Sequence, residues 1–142
     1  MTLFQDHSRE QLRAVYRQAW SRHLAGLPLQ PLEGQLVDLI EAHPEYQPLF
    51  ATDGIVQSEF DAAGAQGNPY LHLALHMALR EQIGTDRPAG VTLIHRRLST
   101  RLGDAHTAEH RMMEVLAETL SEAQRSGLPP QESHYLERLR RL

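Results

Sequence analysis

Two histidine pairs stand out by residue type and spacing. One is His72 and His76, within Asn68-Pro69-Tyr70-Leu71-His72-Leu73-Ala74-Leu75-His76; the other is His106 and His110, within Gly103-Asp104-Ala105-His106-Thr107-Ala108-Glu109-His110. Side chains four residues apart lie one above the other on the same face of a helix. In each pair that face also carries the segment's apolar residues, so the imidazoles are expected to point inward. The chain has nine His and no Cys, so a ligand set built here uses imidazole and carboxylate, with no thiolate. Such donors suit a divalent transition metal such as Zn, Fe or Mn. Glu109, between the members of the second pair, is expected beside the ion as a fifth ligand, an orienting partner or a proton acceptor. The expected site is thus His72, His76, His106, His110 and Glu109. It names a metal and not a reaction, so whether the chain is an enzyme stays open.

The order of residues separates this pattern from better-known metal motifs. Carboxylate-bridged di-metal bundles use Glu together with Glu-x2-His, an order that His106-Thr107-Ala108-Glu109-His110 does not supply. In the His-Glu-x2-His of metalloproteases the Glu follows the first His; here it directly precedes the second. Further donors from earlier in the chain are Glu33, Glu41, His43 and Glu45. The plainer alternative is a metal-free network in which the same histidines and Glu109 satisfy one another and fix how the helices meet.

Hydrophobic periodicity supplies the elements that must hold these residues. A first helix is expected from about Ser8 to Ala25, capped by Asp6 or Ser8, with Leu12, Val15, Tyr16, Ala19 and Trp20 as its apolar stripe. His23 falls at the end of that stripe and reads as a hydrogen-bonded edge residue. A second helix runs from Pro31 or Leu32 to His43, where Pro44 blocks continuation. A short turn follows over His43–Phe50, and residues 51–67 read as a long connection. Asn68 as cap and Pro69 at the first helical position open a third helix, ending near Ile83-Gly84. Glu81 projects away from the His72/His76 face and is set aside as a ligand. The fourth helix spans about Pro88 to Leu102, with Val91, Ile94, Leu98 and Leu102 inward and His95, Arg96, Arg97 and Arg101 on its polar flank. Asp104 caps the longest, fifth helix, ending at Ser126 before Gly127. Its inward face is expected to carry His106, Glu109, His110, Met113, Leu116, Ala117 and Leu120. A last short helix covers about Gln131 to Arg141.

Five main helices plus a short C-terminal one, with no strand period, give an all-α, single-domain helical bundle over residues 1–142. Helices three and five, separated by one short helix, are expected to run parallel, which puts both histidine pairs at one end.

Composition narrows the function classes. Hydrophobic content of 41% with 23% charged residues is that of a globular domain. A net charge of −4 argues against a broad nucleic-acid surface. No apolar run reaches membrane length and the first residues lack a signal peptide's pattern, so a cytoplasmic location without membrane contact is expected. The basic residues Arg138, Arg140 and Arg141 read as a solvated last helical turn suited to the helix dipole.

The two histidine segments, together with His43-Pro44-Glu45-Tyr46 and Ala123-Gln124-Arg125-Ser126-Gly127, resemble a family of small bacterial proteins known as a domain of unknown function, the one numbered 1841. The resemblance spans nearly the whole chain. It implies a bacterial source and a helical domain, and carries no activity, cofactor or catalytic residue. One departure is Val115, where the family is associated with Cys. Two functions are therefore weighed: transition-metal binding through the two pairs, and a metal-free interaction module whose terminal helices meet a protein partner or a second copy.

Overall fold

In the computed structural model, residues 2–51 and 68–142 are described. They fold into helices α1 (Thr2–Leu24), α2 (Pro31–Ala42), a 3-10 turn (Pro44–Tyr46), α3 (Gln47–Ala51), α4 (Pro69–Thr85), α5 (Val91–Leu102), α6 (Ala105–Ser126) and α7 (Glu132–Arg140). No strand occurs among the described residues, and the protein is all-α. None of these helices is long and apolar enough to cross a membrane. They form two compact units, Met1–Leu73 and Ala74–Leu142, so that α4 belongs to both. The long connection expected over residues 51–67 lies, apart from Ala51, outside the described residues.

In the N-terminal unit α1 packs on α2 and α3. Tyr16, Ala19 and Trp20 bury the stripe of α1, and Leu36, Val37, Leu39 and Ile40 that of α2. Tyr16, Phe50 and Tyr70 meet as an aromatic cluster with centroids 5.6–6.1 Å apart. Helix α1 begins at Thr2, earlier than the expected Ser8. Pro31 opens α2, where a missing N–H costs nothing, and Glu33 Oε1 accepts the Gln30 backbone N–H at 2.9 Å. The following Pro44 denies His43 a helical backbone. His43 stops at φ −124°, ψ 72°, and its side chain turns back into the core.

The C-terminal unit is built from the rest of α4 with α5, α6 and α7. Its core contains Leu79, Val91, Leu98, Ala108, Met112, Met113, Val115, Leu116, Tyr135 and Leu139. Helix α5 starts three residues after the expected Pro88, because Asp86 sets its first turn by accepting the backbone N–H groups of Gly90 and Thr92, each at 3.1 Å. Gly103, at φ 78°, ends α5 in the left-handed region that a side chain would resist. Asp104 then caps α6, accepting Thr107 N–H at 2.9 Å and its hydroxyl at 2.6 Å. Those hydrogen bonds hold the Asp104 carboxyl below its ordinary range. The buried face of α6 holds the expected Glu109, Met113 and Leu116 but is broader than expected. Ala108, Met112, Val115 and Thr119 are inside, while Leu120 is 44% exposed. Helix α6 packs on both α5 and α7, so its buried stripe is broad and displaced from a one-sided projection.

Candidate metal-binding histidines

The stop at Pro44 creates the first half of the candidate site. His43 is fully buried, and its Nδ1 lies 2.7 Å from the carbonyl of Leu39, one turn earlier in α2. A carbonyl can only accept, so Nδ1 carries the proton and the lone pair of the neutral ring sits on Nε2. That nitrogen faces Nε2 of His72 at 3.1 Å. His72 stands near the start of α4, where the Asn68 carboxamide accepts the Tyr70 N–H at 3.0 Å and so caps the helix. Tyr46, from the 3-10 turn, stacks on His43 with centroids 5.4 Å apart and planes 9° apart. Its ring also meets His72 edge-on at 5.7 Å.

Two neutral imidazoles can share that 3.1 Å contact through a hydrogen bond donated by His72. They can also both aim lone pairs at one ion: nitrogens held about 2.0–2.1 Å from a tetrahedral metal are roughly 3.3 Å apart. The spacing suits either chemistry. In both cases the Nδ1–H to carbonyl bond fixes the tautomer and ring angle of His43, as the outer partners of ligating histidines do.

The second half lies in the C-terminal unit. His76 is fully buried. Its ring centroid is 5.4 Å from that of His106 and 5.3 Å from that of His110, and the latter two are 4.1 Å apart. Within this unit His76 of α4 therefore meets the first turns of α6. Glu109, only 7% exposed, anchors the arrangement. Its Oε1 accepts from His76 Nε2 at 2.7 Å and from Arg80 Nε at 3.0 Å, and its Oε2 accepts from His95 Nε2 at 3.1 Å. Burial opposes ionisation of this carboxyl, but the hydrogen bonds from His76 and Arg80 and the Arg80 charge outweigh it. The carboxyl is held down at about 2. An ionised Glu109 requires His76 to donate from Nε2, which leaves the lone pair of the neutral ring on Nδ1. This carboxylate–histidine pair fixes the tautomer and orientation of a potential ligand.

Every expected site residue is thus placed. His76, His106, His110 and Glu109 come together in the C-terminal unit, and His72 meets His43 in the N-terminal one. Along α4, His72 and His76 stand one turn apart. Among the described residues, His43 and His72 offer imidazole donors within the N-terminal unit, and His76 and His110 do so within the C-terminal unit.

The chain matches the family model described as Domain of unknown function (DUF1841) over residues 8–141. It belongs to that family. Comparison with curated proteins and with solved structures finds no match.

Other carboxylates weighed from sequence are engaged elsewhere or exposed. Glu33 caps α2 and lies 3.4 Å from Arg22. Glu41 pairs with His23 at 2.7 Å, and the His23 ring also lies beside Trp20. Glu45 is exposed. His95 and Arg80 are participants that the sequence does not single out, and His43 is one it offers only as a further donor. His43 had a readable signal, since a helix-ending histidine before proline is turned off the helix axis. His95 was assigned to the polar flank of α5, where its reach to Glu109 depends on packing against α6. Arg80 stands one turn after His76 on α4, the spacing at which two side chains can address one carboxylate.

Proposed function

We propose that the chain binds a divalent transition metal through histidines carried on α4 and α6, namely His72, His76, His106 and His110. Glu109 orients His76 from behind, and His43 supplements the set through its contact with His72. The observation that carries this reading is the committed tautomer of His76. With Nε2–H given to Glu109, the remaining nitrogen of a buried imidazole offers its lone pair beside two further imidazoles. The i,i+4 relation of His72 to His76 lets one helix offer both rings to one ion. Imidazole donors favour Zn or Fe over Mn, which prefers oxygen. Metal binding is where the proposal ends; it assigns no catalytic role.

A second reading rests on a different observation. Glu109 draws donors from α4 and α5 while itself standing on α6. Such a network fixes helix register without any metal, as an interaction module requires.

Elemental analysis of protein purified without a histidine tag separates the two. In the metal reading, His72→Ala and His106→Ala each lower metal content sharply, and the double variant loses little more because both act on one ion. His134→Ala, at an exposed position of α7, leaves content unchanged. Wild-type metal occupancy in both single variants excludes this site. Absence of metal from protein grown and handled with Zn and Fe present leaves the network reading.

A further inference from the structure

All fourteen Lys and Arg positions of this chain are arginine, and three of them border one cleft of the C-terminal unit. The cleft, about 330 Å³, is lined by Ile94, Arg97, Leu98 and Arg101 of α5 and by Leu139, Arg140 and Leu142 in and after α7. Its floor is apolar, with Leu98 5% and Leu139 1% exposed. Arg97 and Arg101, four residues apart on one helical face, set two like charges side by side. The described ion pairs engage Arg22, Arg80, Arg138 and Arg141, and none engages Arg97, Arg101 or Arg140. Arg101 donates to the backbone oxygen of Leu142, so one guanidinium already meets an oxygen acceptor at the cleft. Excess positive charge gathered over an apolar floor, in a chain of net charge −4, needs an explanation that a solvated helix end does not give. Arg101 and Arg140 stand in the last turns of α5 and α7, where the helix dipole favours a cation, but the dipole does not account for Arg97 joining them around one concavity.

We propose that this cleft is a binding site for a small organic phosphate monoester with a short apolar tail. The phosphate head takes the guanidinium forks of Arg97 and Arg140, whose planar donors match its oxygens. The tail lies over Ile94, Leu98 and Leu139. A dianionic head offsets the adjacent arginine charges, and the apolar floor selects against the bare ion. This site is separate from the histidines and makes no use of a metal.

Titration calorimetry with hexyl phosphate tests the assignment, with inorganic phosphate, hexanol and anionic phospholipid vesicles as comparison probes. Saturable one-to-one binding of hexyl phosphate is expected, with inorganic phosphate at least tenfold weaker and hexanol silent. Arg97→Gln and Arg140→Gln should each weaken hexyl phosphate at least tenfold at an unchanged melting temperature, since both side chains are exposed. Arg140→Lys keeps the charge but loses the fork and should fall between. Arg96→Gln, on the same helix outside the cleft, should bind as wild type. Equal affinity in the Gln variants overturns the proposal, as does equal affinity for inorganic phosphate. Retention by vesicles without hexyl phosphate binding also overturns it and assigns the arginines to a membrane surface.

Discussion

Replacing Glu109 by Gln tests whether the buried carboxylate organises the C-terminal unit. The substitution keeps shape and one carbonyl oxygen but removes the charge that Arg80, His76 and His95 address from two helices. Two routes give its magnitude. The carboxyl is held down from 4.5 to about 2; at 1.36 kcal/mol per unit, the folded state favours the ionised form by roughly 3 kcal/mol. Independently, removing one partner of a buried charged group costs about 3–5 kcal/mol. Part of this is recovered because the Gln carbonyl still accepts from His76 or Arg80, so a loss of roughly 2–4 kcal/mol is expected near neutral pH. The assay is urea unfolding followed by far-ultraviolet circular dichroism, with chelator present so that no metal contributes. The sign of the pH dependence follows from linkage. A carboxyl whose folded value is depressed contributes its full stability above the unfolded value and loses it as pH falls through the folded one. The gap between wild type and Glu109→Gln should therefore hold above about 4.5 and close toward about 2. A gap below about 0.5 kcal/mol near neutral pH would refute the reasoning, because it would mean that the three contacts are made at no net gain over water. A gap that stays constant through the acid range would show that the variant acts through packing and not through charge.

Two further outcomes are expected. Chelation of metal-loaded protein should lower the melting temperature by mass action, and acidification should release the ion because only a neutral imidazole ligates; identical melting curves with and without chelator would count against a site that stabilises the fold. Asp104→Ala removes the cap of α6 and should lower the melting temperature, an advantage of wild type that fades as pH falls below the ordinary Asp range, since its hydrogen bonds to Thr107 hold the carboxyl low; equal stability of the two proteins near neutral pH would show the cap to be replaceable by water.

Much of the fold is legible in the sequence because its stops are chemical. Pro31 and Pro69 open helices, and Gly103 closes one at a positive φ. Asp104 satisfies N–H groups that a helix start leaves without partners. These devices act within a few residues of themselves, so no tertiary knowledge is needed to find them. The start of α5 was less legible because its cap, Asp86, reaches forward to Gly90 and Thr92 across an intervening Pro88. Leu120 illustrates a different limit. A projection at fixed angle assumes one buried side, whereas α6 is covered by both α5 and α7.

The candidate site divides along the same line. Spacing of four residues predicts that His106 and His110 share a face, and within the C-terminal unit that face does meet His76. Spacing says nothing, however, about which nitrogen of a ring holds a proton, and metal chemistry depends on that. His76 is set by Glu109, and His43 by the carbonyl of Leu39. Of these partners, Glu109 is visible as a carboxylate next to a histidine. The carbonyl is visible only once Pro44 is seen to end α2 and turn the His43 ring back along it. His95 addresses the same carboxylate from α5. Its hydrogen bond to Glu109 and that of His76 fall on opposite oxygens of one carboxylate. Substituting His95 therefore leaves the Oε1 contacts in place and tests orientation alone. His95→Ala should weaken metal retention by less than His76→Ala, in the range of about 10–100-fold that loss of an outer partner costs. Competition against a chelator of known affinity would measure it. If His95→Ala abolished binding as completely as His76→Ala, His95 would have to be a ligand and Glu109 would lose its orienting role.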